Sequence, residues 1–121
     1  MTGFRLLVVE DEYFLATEVA DELSAAGAVV VGPVGSVDDA LGLIGEFDTL
    51  DAAVLDVNLR GKMIFPVADE LIKRNVQCIF VTGYDQSVIP ERFATVTRCQ
   101  KPFDPQVIVQ TLLDVTRIAG V

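Results

Sequence analysis

Three acidic residues follow directly on an apolar run near the start of the chain. In the stretch "LLVVEDE", the run ends at Val9 and is followed by Glu10, Asp11 and Glu12. Grouped carboxylates repel one another and are costly to bury, so such a cluster needs either a cation or full exposure to solvent. Carboxylate oxygens suit a hard cation such as Mg²⁺, which takes a few carboxylates and keeps several waters. The stretch is therefore either a divalent-cation site at the end of a strand or a fully exposed acidic turn.

Polar residues also end other apolar runs of the sequence. Asp56 stands in "VLDVNL", Thr82 in "FVTGY" and Lys101 in "CQKPF". A carboxylate can attack phosphorus to form an aspartyl phosphate. A divalent cation neutralises the transferring phosphoryl group, while a lysine and a hydroxyl hold its remaining oxygens. If these side chains meet the acidic run in space, the set predicts phosphoryl transfer.

Each of these residues also has an ordinary structural explanation. Asp11 could cap the following helix, and Asp56 could be a turn residue. Thr82 suits a strand end, and Lys101 could be a solvated surface lysine. Each residue alone is weak evidence, whereas their shared position at the ends of successive apolar runs favours one site.

The elements that must position these side chains alternate along the chain. Short, β-branched apolar runs predict five strands: Phe4–Val9, Ala28–Val31, Ala52–Asp56, Cys78–Thr82 and Val96–Cys99. Helix-period segments separate them, which predicts a parallel sheet with helices on both faces. In such sheets ligands bind at the carboxyl ends of the strands, where the polar residues stand.

Local signals mark the predicted helices. Gly27 closes the first, Ser36 caps the second, the third begins near Pro66, and Asp104 caps the last. The segment Asp85–Thr95 is poor in apolar residues and contains a proline, so we expect a short or irregular fourth helix there.

Composition limits the classes of function. The chain has 121 residues, no histidine and a net charge of −9, which fits one domain, residues 1–121. This charge argues against direct binding to nucleic acid or to an anionic membrane surface, and no apolar run approaches the roughly 20 residues of a membrane span. Cys78 and Cys99 lack metal-ligand spacing and suit the core of a cytoplasmic protein.

The four motifs "VVEDE", "VLDVNL", "FVTGY" and "KPF" resemble those of the receiver domain of bacterial two-component response regulators. The resemblance covers essentially the whole chain. It implies a flavodoxin-like α/β fold, with a doubly wound five-stranded parallel sheet of order 2-1-3-4-5. It also implies a phosphoprotein in signal transduction that is not an enzyme, apart from promoting its own phosphorylation and dephosphorylation.

Residue roles follow from the same resemblance. Asp56 is the implied phosphoacceptor, and Thr82 and Lys101 bind the phosphoryl group. The implied Mg²⁺ ligands are Glu10, Asp11, Asp56 and, through its backbone carbonyl, Asn58. The resemblance further implies a cis peptide bond between Lys101 and Pro102.

The switch region departs from the family pattern. An aromatic residue usually stands three positions before the lysine, and here the position is Arg98. Tyr84 instead follows Thr82 by two positions. This arrangement is similar to a receiver subgroup, common in alphaproteobacteria, with a Phe-Ala-Thr-Gly-x-Tyr motif, although Val81 replaces the alanine and the tyrosine comes one position early. Tyr84 and Arg98 are therefore the candidate switch residues.

The expected partner is a sensor histidine kinase or a phosphotransfer protein, and a homodimer is a further candidate assembly. Phosphorylation would change the surface around the fourth and fifth strands. The chain ends at Val121, just after the last helical stripe, so we expect either no output domain or a fragment of a larger protein.

Other functions remain open at this point. A degenerate receiver would bind proteins independently of phosphorylation, and a phosphate sink or phosphorelay member would pass the group on. A flavodoxin-like cofactor binder would need a small-residue phosphate loop where the acids stand. A haloacid-dehalogenase-type phosphatase would need an aspartate at Asn58.

Overall fold

The computed structural model describes residues 1–83 and 88–119, with side chains of the last helix described as far as Thr116. The strands are Arg5–Val9 (β1), Val29–Val34 (β2), Ala52–Asp56 (β3), Asn58–Leu59 (β4), Lys62–Met63 (β5), Gln77–Thr82 (β6) and Thr97–Gln100 (β7). The helices are Tyr13–Ala25 (α1), Val37–Glu46 (α2), Phe65–Lys73 (α3) and Pro105–Ala119 (α4).

The main sheet has five strands in the order β2-β1-β3-β6-β7, and every pairing is parallel. The predicted order 2-1-3-4-5 is confirmed once the short strands β4 and β5 are set aside. β1 pairs with β2 on one side and β3 on the other, so the strand order reverses there. A ligand site is expected at this reversal, beyond the carboxyl ends of the strands.

Two apolar layers cover the two faces of the sheet, because successive strand residues point to opposite sides. Leu7 and Leu55 belong to the layer that packs against α2 and α3. Leu6 and Val54 belong to the layer that packs against α1 and α4. All five residues of β3 are buried, Asp56 among them. The fold therefore carries a carboxylate to the end of its most enclosed strand.

The predicted helix ends are confirmed. Ser36 Oγ accepts a hydrogen bond from Asp39 N–H at 3.1 Å, and Asp104 Oδ1 accepts one from Gln106 N–H at 3.0 Å. Gly27 lies just beyond α1 with a φ of +97°, a backbone conformation that glycine adopts without strain. The alternative explanation of Asp11 as a helix cap is wrong, because Glu12 occupies the N-cap position of α1.

In the poorly patterned segment, the described residues contain a 3-10 helix, Glu91–Phe93. The predicted switch residue Tyr84 lies outside the described residues. Within residues 1–83 and 88–119, no helix combines the length and the apolar character needed to cross a bilayer.

The hairpin β4–β5 was not predicted. Its two turn residues are Arg60, with φ +53°, and Gly61, with φ +92°. Positive φ at both central positions characterises the type I′ turn, which joins two-residue hairpins. Asn58 Oδ1 accepts a hydrogen bond from Gly61 N–H at 2.7 Å and braces the turn. The hairpin starts two residues after Asp56, so it lies beside the end of β3.

Candidate functional site

Three acidic side chains meet where β1 and β3 end. Glu10 and Asp11 follow β1 and Asp56 ends β3, and one carboxylate oxygen from each lies within 4.8 Å of the others. Glu10 is only 6% exposed and Asp56 only 5% exposed, so two of the three carboxylates are buried. Carboxylates that are buried this close together need hydrogen bonds and cations to offset their lost hydration.

Backbone amides orient the buried carboxylates. Asn58 N–H donates to Asp56 Oδ1 at 3.0 Å, and Glu12 N–H donates to Glu10 Oε2 at 3.0 Å. Both donors lie two residues beyond the acid they hold, in the turn that leaves the strand. The local chain path thus fixes one oxygen of each acid.

Lys101 supplies a cation to the same cluster. Its backbone N–H donates to Thr82 O at 2.8 Å, which continues the β6–β7 pairing beyond the end of β7. Its ammonium lies 3.1 Å from Asp56 Oδ2, 3.1 Å from Glu10 Oε1 and 3.1 Å from Glu12 Oε1. The bond between Lys101 and Pro102 is cis, as the resemblance implied. One ammonium therefore contacts three carboxylates.

The acids outnumber this cation, and the pKa of Glu10 is raised. Burial raises the pKa of Glu10 to about 8, and the hydrogen bond and negative charge of Asp56 act in the same direction, against the attraction of Lys101. Burial alone would lower the pKa of Lys101, but the charge of Asp56 and its hydrogen bond, followed by Glu10, raise it above its ordinary value. The site thus carries negative charge that one lysine does not neutralise.

Thr82 ends β6 beside this cluster. Its neighbour Val81 is in register with Asp56. The Thr82 side chain is buried, and its Oγ1 has no hydrogen-bond partner among the residues that the structure describes. A buried hydroxyl without a partner is unfavourable, so folding alone does not explain the choice of threonine here.

The residues present fit a hard divalent cation. The candidate ligands are all oxygens, which Mg²⁺ prefers. Beside them lies a groove of about 350 Å³ whose lining includes Asp11, Asp56, Asn58 and Lys101. The groove opens this side of the cluster to solvent.

Sequence reasoning did not assign Glu12 and Arg60 to the site. Glu12 Oε1 contacts the Lys101 ammonium, and Arg60 Nε lies 3.7 Å from Asp11 Oδ2. Glu12 was detectable as the third acid of "EDE". Arg60 had no signal of its own, because only the unpredicted hairpin turns it back toward the end of β1.

Of the two switch candidates, the described residues include Arg98. It is half-buried in β7 and in register with Phe80 of β6. No aromatic side chain stands at this position of β7, as the sequence indicated. The roles of Arg98 and Tyr84 as switch residues stay predictions.

No protein-family profile matches the chain, and no curated protein sequence matches it. Solved structures do match. The solution structure of SdrG from Sphingomonas melonis is 35% identical, with 91% of this chain and 93% of that chain covered and a TM-score of 0.78. The BeF3-activated conformation of SdrG from Pseudomonas melonis is 34% identical, with 96% and 99% covered and a TM-score of 0.76.

A response regulator receiver protein from Sinorhizobium medicae is 18% identical, with 95% of each chain covered and a TM-score of 0.80, and supports the fold alone. The motifs, the sheet order and the similarity to SdrG over nearly the full length lead to one conclusion. The chain belongs to the response-regulator receiver family of two-component signalling proteins.

Proposed function

We propose that the protein is a phosphorylation-dependent signalling switch in which Asp56 accepts a phosphoryl group. The donor is a phosphohistidine on a sensor histidine kinase or a phosphotransfer protein. The observation that carries the proposal is the setting of the Asp56 carboxylate. It is buried at the end of β3, held by Asn58 N–H at 3.0 Å and by the Lys101 ammonium at 3.1 Å, and lies within reach of two further acids.

The fixed orientation of Asp56 favours nucleophilic attack. One of its oxygens forms a bond to phosphorus while the bond from phosphorus to the donor nitrogen breaks, and that nitrogen keeps the electron pair. Mg²⁺, held by Glu10, Asp11, Asp56 and the backbone carbonyl of Asn58, would supply neutralisation of the charge on the phosphoryl oxygens.

Lys101 and Thr82 would then hold the new phosphoryl oxygens. The Lys101 ammonium is already shared among carboxylates, so it can turn toward an added dianion on Asp56. The buried hydroxyl of Thr82, which has no partner among the described residues, is suited to donate a hydrogen bond to the same group.

These movements would repack the surface around β6, β7 and the segment that follows Thr82. Such a change biases a two-state equilibrium, and hydrolysis of the aspartyl phosphate returns the protein to its first state. The related protein SdrG is known in a BeF3-activated conformation, which supports an activation response of this kind. The signal would leave the domain, residues 1–121, through protein contacts in the cytoplasm.

Two alternatives use the same fold. A degenerate receiver would bind partners without phosphorylation, but the chain keeps Asp11, Asp56, Thr82 and Lys101, which opposes this reading. A phosphate sink or relay would use the same acceptor and differ only in the onward target. Direct nucleic-acid binding is disfavoured by the net charge of −9.

The proposal is tested with acetyl phosphate as donor and Mg²⁺ present. Intact-mass spectrometry should show the addition of one phosphoryl group to the wild-type protein and none to Asp56→Asn. Asp51→Asn is the matched control, because Asp51 stands at the opposite end of β3, where its Oδ2 accepts the N–H of Arg5; this variant should be labelled like the wild type. An Asp56→Asn protein labelled to the wild-type level would refute Asp56 as acceptor, and a wild-type protein that binds Mg²⁺ but takes no label would favour the degenerate receiver.

A further inference from the structure

A second cation lies over the acidic cluster, on the hairpin that follows β3. Arg60 Nε is 3.7 Å from Asp11 Oδ2. The Arg60 side chain is 82% exposed, whereas that of Asp11 is 14% exposed. Asp11 is the one acid of the cluster for which the described residues show no contact with the Lys101 ammonium. The two cations thus divide the carboxylates between them.

The hairpin holds Arg60 in this position. Arg60 occupies the first central position of the type I′ turn with φ +53°, a conformation that favours glycine or asparagine. A left-handed backbone is unfavourable for an ordinary residue. The turn is fixed by the hydrogen bond from Gly61 N–H to Asn58 Oδ1 and by the pairing of Leu59 with Lys62. An unfavourable residue is therefore kept at the point of the turn that faces Asp11.

We infer that the Arg60 guanidinium competes with the divalent cation for the carboxylate of Asp11. This inference rests on the proposed function, in which Asp11 is a metal ligand. The positive charge of a guanidinium beside a carboxylate repels a divalent cation and weakens the attraction of that carboxylate for it. Cation binding therefore disfavours the contact between Arg60 and Asp11, and the highly exposed guanidinium can move into solvent without displacing core residues.

The presence of Arg60 should therefore raise the Mg²⁺ concentration at which the site is half-saturated. An exposed ion pair of this kind typically contributes only 0.2–1 kcal/mol, because solvent screens it. Loss of the Arg60 charge should therefore tighten Mg²⁺ binding by about 1.4- to fivefold. Lys101 cannot take the place of Arg60, since its ammonium is held by Glu10, Glu12 and Asp56.

The test measures the dissociation constant of Mg²⁺ by calorimetric titration for a charge series at one position. Arg60→Gln removes the charge at similar length, Arg60→Lys keeps it, and Arg60→Glu reverses it. We expect the affinity for Mg²⁺ to be highest in Arg60→Glu and lower in Arg60→Gln. In Arg60→Lys it should be close to that of the wild type. Arg92→Gln is the matched control, because it removes the same charge from an exposed pair with Asp69; its Mg²⁺ affinity should equal that of the wild type.

Two further measurements separate competition from a structural role. The difference between the wild type and Arg60→Gln should shrink in about 0.5 M KCl, where exposed charges are screened. The Mg²⁺ concentration needed for half-maximal labelling by acetyl phosphate should fall in Arg60→Gln in proportion to its tighter binding.

Two results would overturn the inference without touching the proposed function. One is a wild-type protein that binds Mg²⁺ with Arg60→Gln unchanged, and the other is an equal change in Arg92→Gln. A folded wild-type protein that fails to bind Mg²⁺ at all would instead overturn the proposed metal site, and this inference with it. Thermal unfolding of each variant establishes that the hairpin substitution has not unfolded the domain.

Discussion

At the residue scale, Thr82 is the member of the site whose surroundings folding explains least. Its side chain is almost fully buried, and its hydroxyl has no partner among the described residues. A fold selected for stability alone would carry valine there, which has the same shape and no polar atom. A locally unfavourable residue beside an acidic cluster is typical of a functional position.

We expect Thr82→Val to raise the free energy of unfolding by about 1 kcal/mol, because it removes a buried hydroxyl that has no partner in residues 1–83 and 88–119. Under the proposed function the same variant should lose its structural response to beryllofluoride, since no hydroxyl is left to hold the phosphoryl mimic. Urea unfolding and two-dimensional NMR spectra measure the two effects.

Thr82→Ser is the control for this experiment, because it keeps the hydroxyl and should keep the response. A Thr82→Val protein that is destabilised by more than about 1 kcal/mol would show that the hydroxyl has a partner in the unmodified protein.

At the element scale, an aromatic cluster links α3, β6 and the 3-10 helix. The rings of Phe65 and Phe93 stack with centroids 5.4 Å apart, and Phe80 meets Phe93 edge-on at 5.4 Å. The guanidinium carbon of Arg92 lies over the Phe93 ring, 4.5 Å from its centroid. Because this cluster joins β6 to the segment after it, it anchors the part of the chain that the proposed switch would repack.

Phe93→Ala should lower the free energy of unfolding by about 3–5 kcal/mol, since it removes a fully buried aromatic side chain. Phe14→Ala is the matched control. Phe14 is 79% exposed on α1, so its loss should change stability by no more than about 0.5 kcal/mol. Denaturant titration measures both values, and equal effects of the two substitutions would contradict the packing described for Phe93.

At the scale of the whole molecule, buried charge makes stability depend on pH. The chain carries a net charge of −9, and two of the three clustered acids of the site, Glu10 and Asp56, are buried. The pKa of Glu10 is raised from 4.5 to about 8, chiefly by burial. The folded protein therefore keeps a proton on Glu10 over a range in which the unfolded chain has lost it.

In EDTA, the free energy of unfolding should fall as the pH rises from 4.5 toward 8 and level off above that range. Below pH 4.5 the Glu10 carboxyl is protonated in both the folded and the unfolded state, so its ionisation does not lower the free energy of unfolding there. Glu10→Gln cannot ionise, so the variant should gain stability relative to the wild type across the same interval. Parallel curves for the two proteins would show that Glu10 does not titrate in the folded state with a raised pKa.

The fold was largely predictable because its signals are local. The apolar runs ending at Val9, Asp56 and Thr82 matched strands, and the caps at Ser36 and Asp104 marked the helix starts. The sheet order and the roles of the site residues came from the resemblance to receivers. The hairpin β4–β5 was missed, because each of its strands has two residues, too few to show a period.

The sequence by itself determined which side chains would stand at the strand ends, since alternating strands and helices in a parallel sheet bring every carboxyl end to one edge. Only the tertiary structure decided how those charges pair. Lys101 contacts Glu12 as well as Asp56, and Arg60 turns back to Asp11. The reason is physical: ion pairs between residues far apart in sequence depend on side-chain positions within an ångström, and no local pattern encodes them.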